Sequence, residues 1–279
     1  MHPKKALKWV IFWISVALAF NAGVYFFLGQ QKAIEFLTGY IIEESLSVDN
    51  LFVFLILFKY FKIAPHHQRR VLNWGIVGVI ILRGIFILLG SALISNFGFI
   101  LYVFGAILIY SGYNMAFGKE KEIHPEQNKI LRLFKRFYKV TTEYQGDHFF
   151  IKRDGVKYAT PLFVCLLVIE STDLVFAIDS IPAIFAITTD PFIVFSSNIL
   201  AVLGLRSMYF LLAAIADKFE FVKKGVGIIL FYVGVKMLIP MAFPGYHIPV
   251  FISLIVILSV LAFSVLISII QNKRSSAKK

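Results

Sequence analysis

Long apolar runs alternate with short polar connectors along the whole chain. Eight runs, at about 9–28, 34–58, 71–94, 98–117, 159–187, 192–216, 225–240 and 248–270, are long enough to cross a hydrocarbon core, which takes about 20 residues of helix. The pattern predicts an all-α polytopic membrane protein, a single transmembrane domain over 1–279 with about eight transmembrane helices. The run within 1–30 follows basic residues. It is too long for a signal sequence and lacks a small-x-small cleavage pattern, which predicts a retained helix. The one long polar segment, 118–158, contains the basic amphipathic stretch NKILRLFKRFYKV and then FFIKRDGVKYA. In the latter, Asp154–Gly155 between apolar-rich arms predicts a tight hairpin. The segment reads as a solvated linker with a membrane-surface helix.

Composition agrees: 59% of residues are hydrophobic and mean hydropathy is +0.80, far too apolar for a soluble domain. The net charge of +12 raises the question of nucleic acid, but its distribution answers otherwise. With the N-terminus inside, 24 of the 28 Lys and Arg fall in inner segments, including the basic tail 271–279. Only Lys32 falls in an outer loop, and Arg83, Arg206 and Lys236 lie within spans. This split is what the positive-inside rule produces. It predicts a multi-pass membrane protein with both termini cytoplasmic and no nucleic-acid partner. Cys165, the only cysteine, stands in an apolar run, which excludes a disulfide framework or a thiolate metal site.

Against this background IIEESLSVDNLFVF (41–54) stands out, with Glu43, Glu44, Asp49, Ser45, Ser47 and Asn50 inside an apolar run. A charged residue at the centre of an inserted helix costs roughly 2.5–3.5 kcal/mol on translocon scales. A second such stretch, VIESTDLVFAIDSIPAIF (168–185), carries Glu170, Asp173, Asp179 and Ser180. Aligning SVDNL with AIDSI places Asp49 over Asp179 and Glu43 over Asp173. ILRGIFILLGSAL (81–93) resembles GLRSMYFLLAAIA (204–216), Arg83 over Arg206. GAILIYSGYNM (105–115) resembles GIILFYVGVKM (227–237), Gly112 over Gly234. Three matches in one order predict that 34–117 recurs as 159–240. An odd number of helices per repeat makes it a 3+3 inverted-topology repeat, a transporter signature with the substrate site between repeats.

The acids outnumber the buried arginines, so some are protonated or matched by a cation. Arg83 and Arg206 are the candidate countercharges. In a straight helix the six-residue step from Glu43 to Asp49, or from Asp173 to Asp179, turns about 240°. Each pair shares one site only if the helix unwinds near it, and Pro182 supplies a candidate break. Carboxylates, hydroxyls and amides without His suit hard ions: Mg²⁺, Ca²⁺ or Mn²⁺. His66, His67, His124, His148 and His247 fall in loops and read as solvated. No nucleophile–base pair, HExxH or phosphate loop is present, so the chain does not read as an enzyme.

TGYIIEESLSVDNLFVF, FKRFYKVTTEYQGDHFF, the stretch from YATPLFVCLLVIESTDLVFAIDSIPA to SNILAVLGLRSMYFLLA, and GVKMLI resemble the TerC family of bacterial membrane proteins, close to its Alx branch, over about residues 8–265. The double motif ExxLSxDN and ExxDxxxAxDSIPA carries the resemblance. It implies membership of a superfamily of small-solute and cation exporters, a name taken from tellurium resistance, and an association with manganese efflux. Carried over, the metal site would comprise Glu43, Asp49, Glu170, Asp173 and Asp179, supported by Asn50, Ser180, Arg83, Arg206 and Glu44. The expectation is therefore an exporter of Mn²⁺ in the bacterial inner membrane, with proton antiport as the candidate coupling and no tightly bound cofactor. The rival is a non-transporting membrane factor, a stress-resistance component or an insertion scaffold.

Overall fold

Prolines set where several helices start. Pro65, Pro161 and Pro191 each stand in the first turn, where a missing N–H removes no helical bond. Asp190 adds a cap, its Oδ1 accepting from the Phe192 backbone N–H at 3.0 Å. The computed structural model describes residues 3–118, 128–141, 143, 146–153, 155–213, 220–243, 245–246 and 248–276. The side chains of Pro3, Asp49, Glu220 and 272–276 are outside that description. The helices are α1 (Pro3–Leu28), α2 (Gln30–Tyr60), α3 (Pro65–Asn96), α4 (Ile100–Phe117), α5 (Lys129–Phe137), α6 (Pro161–Phe185), α7 (Pro191–Leu212), α8 (Glu220–Ala242) and α9 (Val250–Ser276).

Seven of these helices are long and apolar enough to cross a membrane. The remaining long helix, α2, has 31 residues but carries Lys32, Glu35, Glu43, Glu44 and Asp49, too many charges to qualify on composition. It packs among α1, α6 and α7, so protein surrounds most of its acids. Large side chains on the outer helix faces are bare, among them Phe27 at 88% exposure and Phe263 at 68%. Lipid solvates such a surface; water does not. Together these make the chain an all-α polytopic membrane protein. Several helices overrun the apolar spans. α3 starts at Pro65 rather than 71, because its first turn, PHHQRR, is polar yet still helical.

Two helices meet backbone to backbone. A Cβ at Gly112 would lie 2.4 Å from the Phe231 nitrogen and 2.6 Å from the Gly227 carbonyl oxygen. A Cβ at Gly234 would lie 2.7 Å from the Gly105 carbonyl oxygen. α4 and α8 therefore cross antiparallel with Gly105 against Gly234 and Gly112 against Gly227. Only glycine allows that approach.

The expected break at Pro182 does not occur. α6 runs unbroken through Asp173, Asp179 and Pro182, and α2 runs unbroken from Glu43 through Asn50. Pro182 removes one ladder bond near the helix end, and Ile181, Ile184 and Phe185 are packed in a core cluster with Ile87 and Val194.

The described part of 118–158 is not a solvated linker: it packs on the helices and forms a sheet. α5 packs along α6, with the Phe134 and Phe163 rings 5.3 Å apart and Leu131 buried. The strands β1 (Lys139–Val140), β2 (Phe150–Arg153) and β3 (Val156–Ala159) form a sheet in the order β1-β3-β2. β2 and β3 pair antiparallel, Arg153 opposite Val156, across a turn with Gly155 at φ 77. Asp154 of that turn lies outside the described residues, as do His124 and His247. β1 joins parallel to β3, a pairing the sequence pattern did not signal. The sheet is fastened to α6 by the Thr160 hydroxyl, which donates to the His148 carbonyl at 2.8 Å. His67 is not simply solvated: it hydrogen-bonds Asp147.

Candidate functional site

Four helices converge on one guanidinium. Arg83 of α3 is fully buried. Its Nη2 donates to Asp173 Oδ1 at 3.0 Å and its Nε to Asp173 Oδ2 at 3.3 Å, a bidentate fork to α6. Its Nη1 donates to Glu43 Oε1 of α2 and to Asn198 Oδ1 of α7, the latter at 3.3 Å. Asn198 Nδ2 donates onward to Glu43 Oε2 at 3.0 Å. Glu43, Asp173 and Asn198 are all buried. The assembly holds two carboxyls against one cation.

Further acids flank it. Glu170 lies one turn before Asp173 on α6 and faces α3, where Gly78 leaves a notch for it. A Cβ at position 78 would stand 2.2 Å from Glu170 Oε1. Among the described residues both Glu170 oxygens are buried without a hydrogen-bond partner, as are Glu44 Oε2, Ser47 Oγ and Ser180 Oγ. The other Glu44 oxygen accepts from the Tyr40 hydroxyl at 2.8 Å. Asp179 turns away from Asp173, as an unbroken helix requires, and accepts from Ser111 of α4 at 2.6 Å. Asn50 is buried in α2, and the side chain of Asp49 lies outside the described residues.

Arg206 does not join the centre. It is exposed and donates to Asn73 Oδ1 at 2.7 Å. Among the described residues, no three His, Cys, Asp or Glu side chains are grouped closely enough to hold a metal ion. The centre is closed on Arg83 instead.

Two features escaped the sequence reading. Asn198 completes the Arg83 assembly. The only signal was SSN inside an apolar span. The other is a polar tie between α2 and the turn before α7. Lys32 Nζ lies 3.0 Å from both Glu35 and Asp190, and the Thr188 hydroxyl donates to Glu35 at 2.6 Å. Burial works against charge on Asp190, but the bond and charge of Lys32, with the backbone N–H groups of Phe192 and Ile193, together outweigh it and hold the carboxyl below its ordinary range.

A family model described as the integral membrane protein TerC family matches residues 28–276, nearly the whole chain. The chain belongs to the TerC family. Its relatives span bacteria and plants. It is 44% identical over 286 residues to the Alx protein of Salmonella typhi, named as a candidate membrane-bound redox modulator, covering 100% of this chain and 88% of that one. A membrane protein of Myxococcus xanthus is 45% identical over 272 residues, covering 98% of this chain and 84% of its own. The thylakoid membrane protein TERC of Arabidopsis thaliana is 42% identical over 274 residues, covering 98% and 71%. No solved structure matches this TerC chain.

Proposed function

We propose that this TerC protein is an inner-membrane transporter that exports a hard divalent cation, Mn²⁺ foremost, from the cytoplasm in exchange for protons. The observation that carries the reading is the Arg83 centre. Two carboxyls from different helices are held at membrane depth by one guanidinium, with the unpartnered Glu170 carboxyl one turn away. A buried charge without a partner is expensive, so an acid-rich interior needs exchangeable cations or protons. Arg83 serves as the resident countercharge of the ion-free state. Glu43, Asp173 and the Asn198 carbonyl offer only oxygen, the donor set that hard ions take. A divalent ion entering there competes with Arg83 for the carboxyls, and Glu170 and Asp179 hold or release protons as it passes.

Paired geometry supports the inverted repeat. Gly105 matches Gly227 and Gly112 matches Gly234, yet Gly105 meets Gly234 and Gly112 meets Gly227. That exchange of partners is what a two-fold axis between α4 and α8 produces. In the same sense α2 packs on α7 and α3 on α6, and each matched arginine reaches an asparagine on the other's helix, Arg83 to Asn198 and Arg206 to Asn73. The placement of Lys and Arg supports cytoplasmic termini.

One observation favours a second reading, a non-transporting membrane factor. The Arg83 centre is satisfied on all sides as it stands, as a structural tie would be. Manganese content in an exporter-deficient bacterial host separates the two. The exporter lowers content under Mn²⁺ load and Asp173→Asn does not, at matched expression. Content unchanged by the wild-type protein favours the second reading.

A further inference from the structure

The helix α5, KILRLFKRF, presents three stripes. Leu131 and Phe134 face the protein, Leu131 buried and Phe134 against Phe163. Ile130, Leu133 and Phe137, at spacings of three and four, form a second apolar stripe that is left bare among the described residues. Their exposures are 39%, 58% and 73%. Lys129, Arg132 and Arg136 run beside it at the same spacing, all exposed, and the helix contains no acid. A helix needs one apolar stripe to dock on its own protein. The second, edged by cations, has the pattern of a lipid-facing amphipathic helix.

Depth agrees. The Asn128 side chain caps α5, its Oδ1 accepting from the Leu131 N–H at 2.9 Å. Its Nδ2 donates to Ser171 Oγ at 2.7 Å. Ser171 lies ten residues into α6, about 15 Å along its axis. Phe163 meets α5 near its other end, so α5 runs antiparallel to α6 with its N-terminus the deeper. The bare stripe therefore runs beside the first half of α6, with its Phe137 end nearest the start of that helix.

We infer that α5 is a docking surface for anionic phospholipid. Ile130, Leu133 and Phe137 face acyl chains, and Arg132 and Arg136, toward the outer end of the helix, bind headgroup phosphates. Zwitterionic lipid offers the same acyl chains but not the surface potential that draws a polybasic helix. Since Asn128 bonds Ser171, beside Glu170 and two residues before Asp173, lipid at α5 also bears on the helix that carries those acids. The inference rests on α6 crossing the membrane, not on transport.

The test uses the full chain in nanodiscs, with Leu133→Cys carrying an environment-sensitive fluorophore and the wild-type chain, whose Cys165 is buried, as the labelling blank. Emission should shift to the blue, and acrylamide quenching should fall, in discs containing phosphatidylglycerol relative to phosphatidylcholine alone. The shift should be lost with Arg132→Glu/Arg136→Glu, and at 1 M salt, where the screening length falls to about 3 Å. The milder Arg132→Gln/Arg136→Gln pair, checked for a monodisperse elution peak, gives the same loss if charge reversal harms folding. Identical emission in both lipids, or a shift that survives removal of both arginines, overturns the inference. Burial of the label only on adding an acidic protein fraction overturns it in favour of a protein partner.

Discussion

Asp173 grips Arg83 through both carboxylate oxygens, at 3.0 and 3.3 Å, and neither side chain reaches solvent. This pair joins α6 to α3 at the depth where α2 and α7 contribute Glu43 and Asn198. Breaking it from the cationic side is the costlier change, because two carboxyls lose their only shared cation. Arg83→Gln is expected to destabilise the detergent-solubilised protein by about 3–5 kcal/mol, the range for uncompensated buried pairs. The matched Arg206 is exposed on Asn73, and Arg206→Gln should cost about 1 kcal/mol or less. Thermal unfolding of the two variants beside the wild type checks the contrast.

The glycine crossing of α4 and α8 makes a second prediction. Gly112→Ala puts a methyl 2.4 Å from backbone that cannot move alone. It should destabilise by roughly 1–3 kcal/mol, as overpacking does. Gly98→Ala, with no atom within 4 Å, should leave the unfolding midpoint near wild type. Equal midpoints for both would remove the close crossing.

Gly78 permits a test that separates transport from stability. Its notch holds the end of the Glu170 side chain, a flexible group that can swing away from an added methyl. Gly78→Ala and Glu170→Gln should both reduce ion flux while leaving the unfolding midpoint nearly unchanged. A large stability loss with normal flux would make Glu170 a packing residue only.

Outside the membrane, the hydrogen bond from His67 is the largest influence on Asp147. Slight burial opposes it, and the charges of His67, Arg70 and His66 add to it, so the carboxyl is held below its ordinary range. A carboxyl lowered on folding stabilises above its unfolded value of about 3.9, and that contribution vanishes as pH falls through the folded value. The unfolding midpoint of wild type should exceed that of Asp147→Asn near neutral pH. The two should converge as pH falls below that lowered value, where the wild-type carboxyl is protonated as well.

Much of the fold was legible because one property dominates it: apolar length. That property placed both ends of α4, the end of α1 and the start of α9 within two residues. It missed the polar first turn of α3, since a helix can continue past the bilayer without apolar side chains. It also gave no warning of β1, whose two residues join a strand nearly twenty positions later. In the candidate site, Glu43, Asp173 and Arg83 were visible as charges where charges are costly. The structure joins them, and it leaves Arg206 outside and turns Asp179 toward Ser111. Those facts depend on helix phase and on which neighbour packs where. Asn198 was hidden for another reason. A single amide in an apolar span has many uses, and only the placement of α7 brings it between Glu43 and Arg83.

The most direct measurement is Mn²⁺ flux into proteoliposomes at matched reconstitution, with and without an imposed pH gradient. Wild type, Glu43→Gln and Asp173→Asn would be compared. The account expects wild-type flux that responds to the gradient and falls to the protein-free level in both variants. No flux from wild type, or equal flux from all three proteins, would contradict an exporter built on the Arg83 centre.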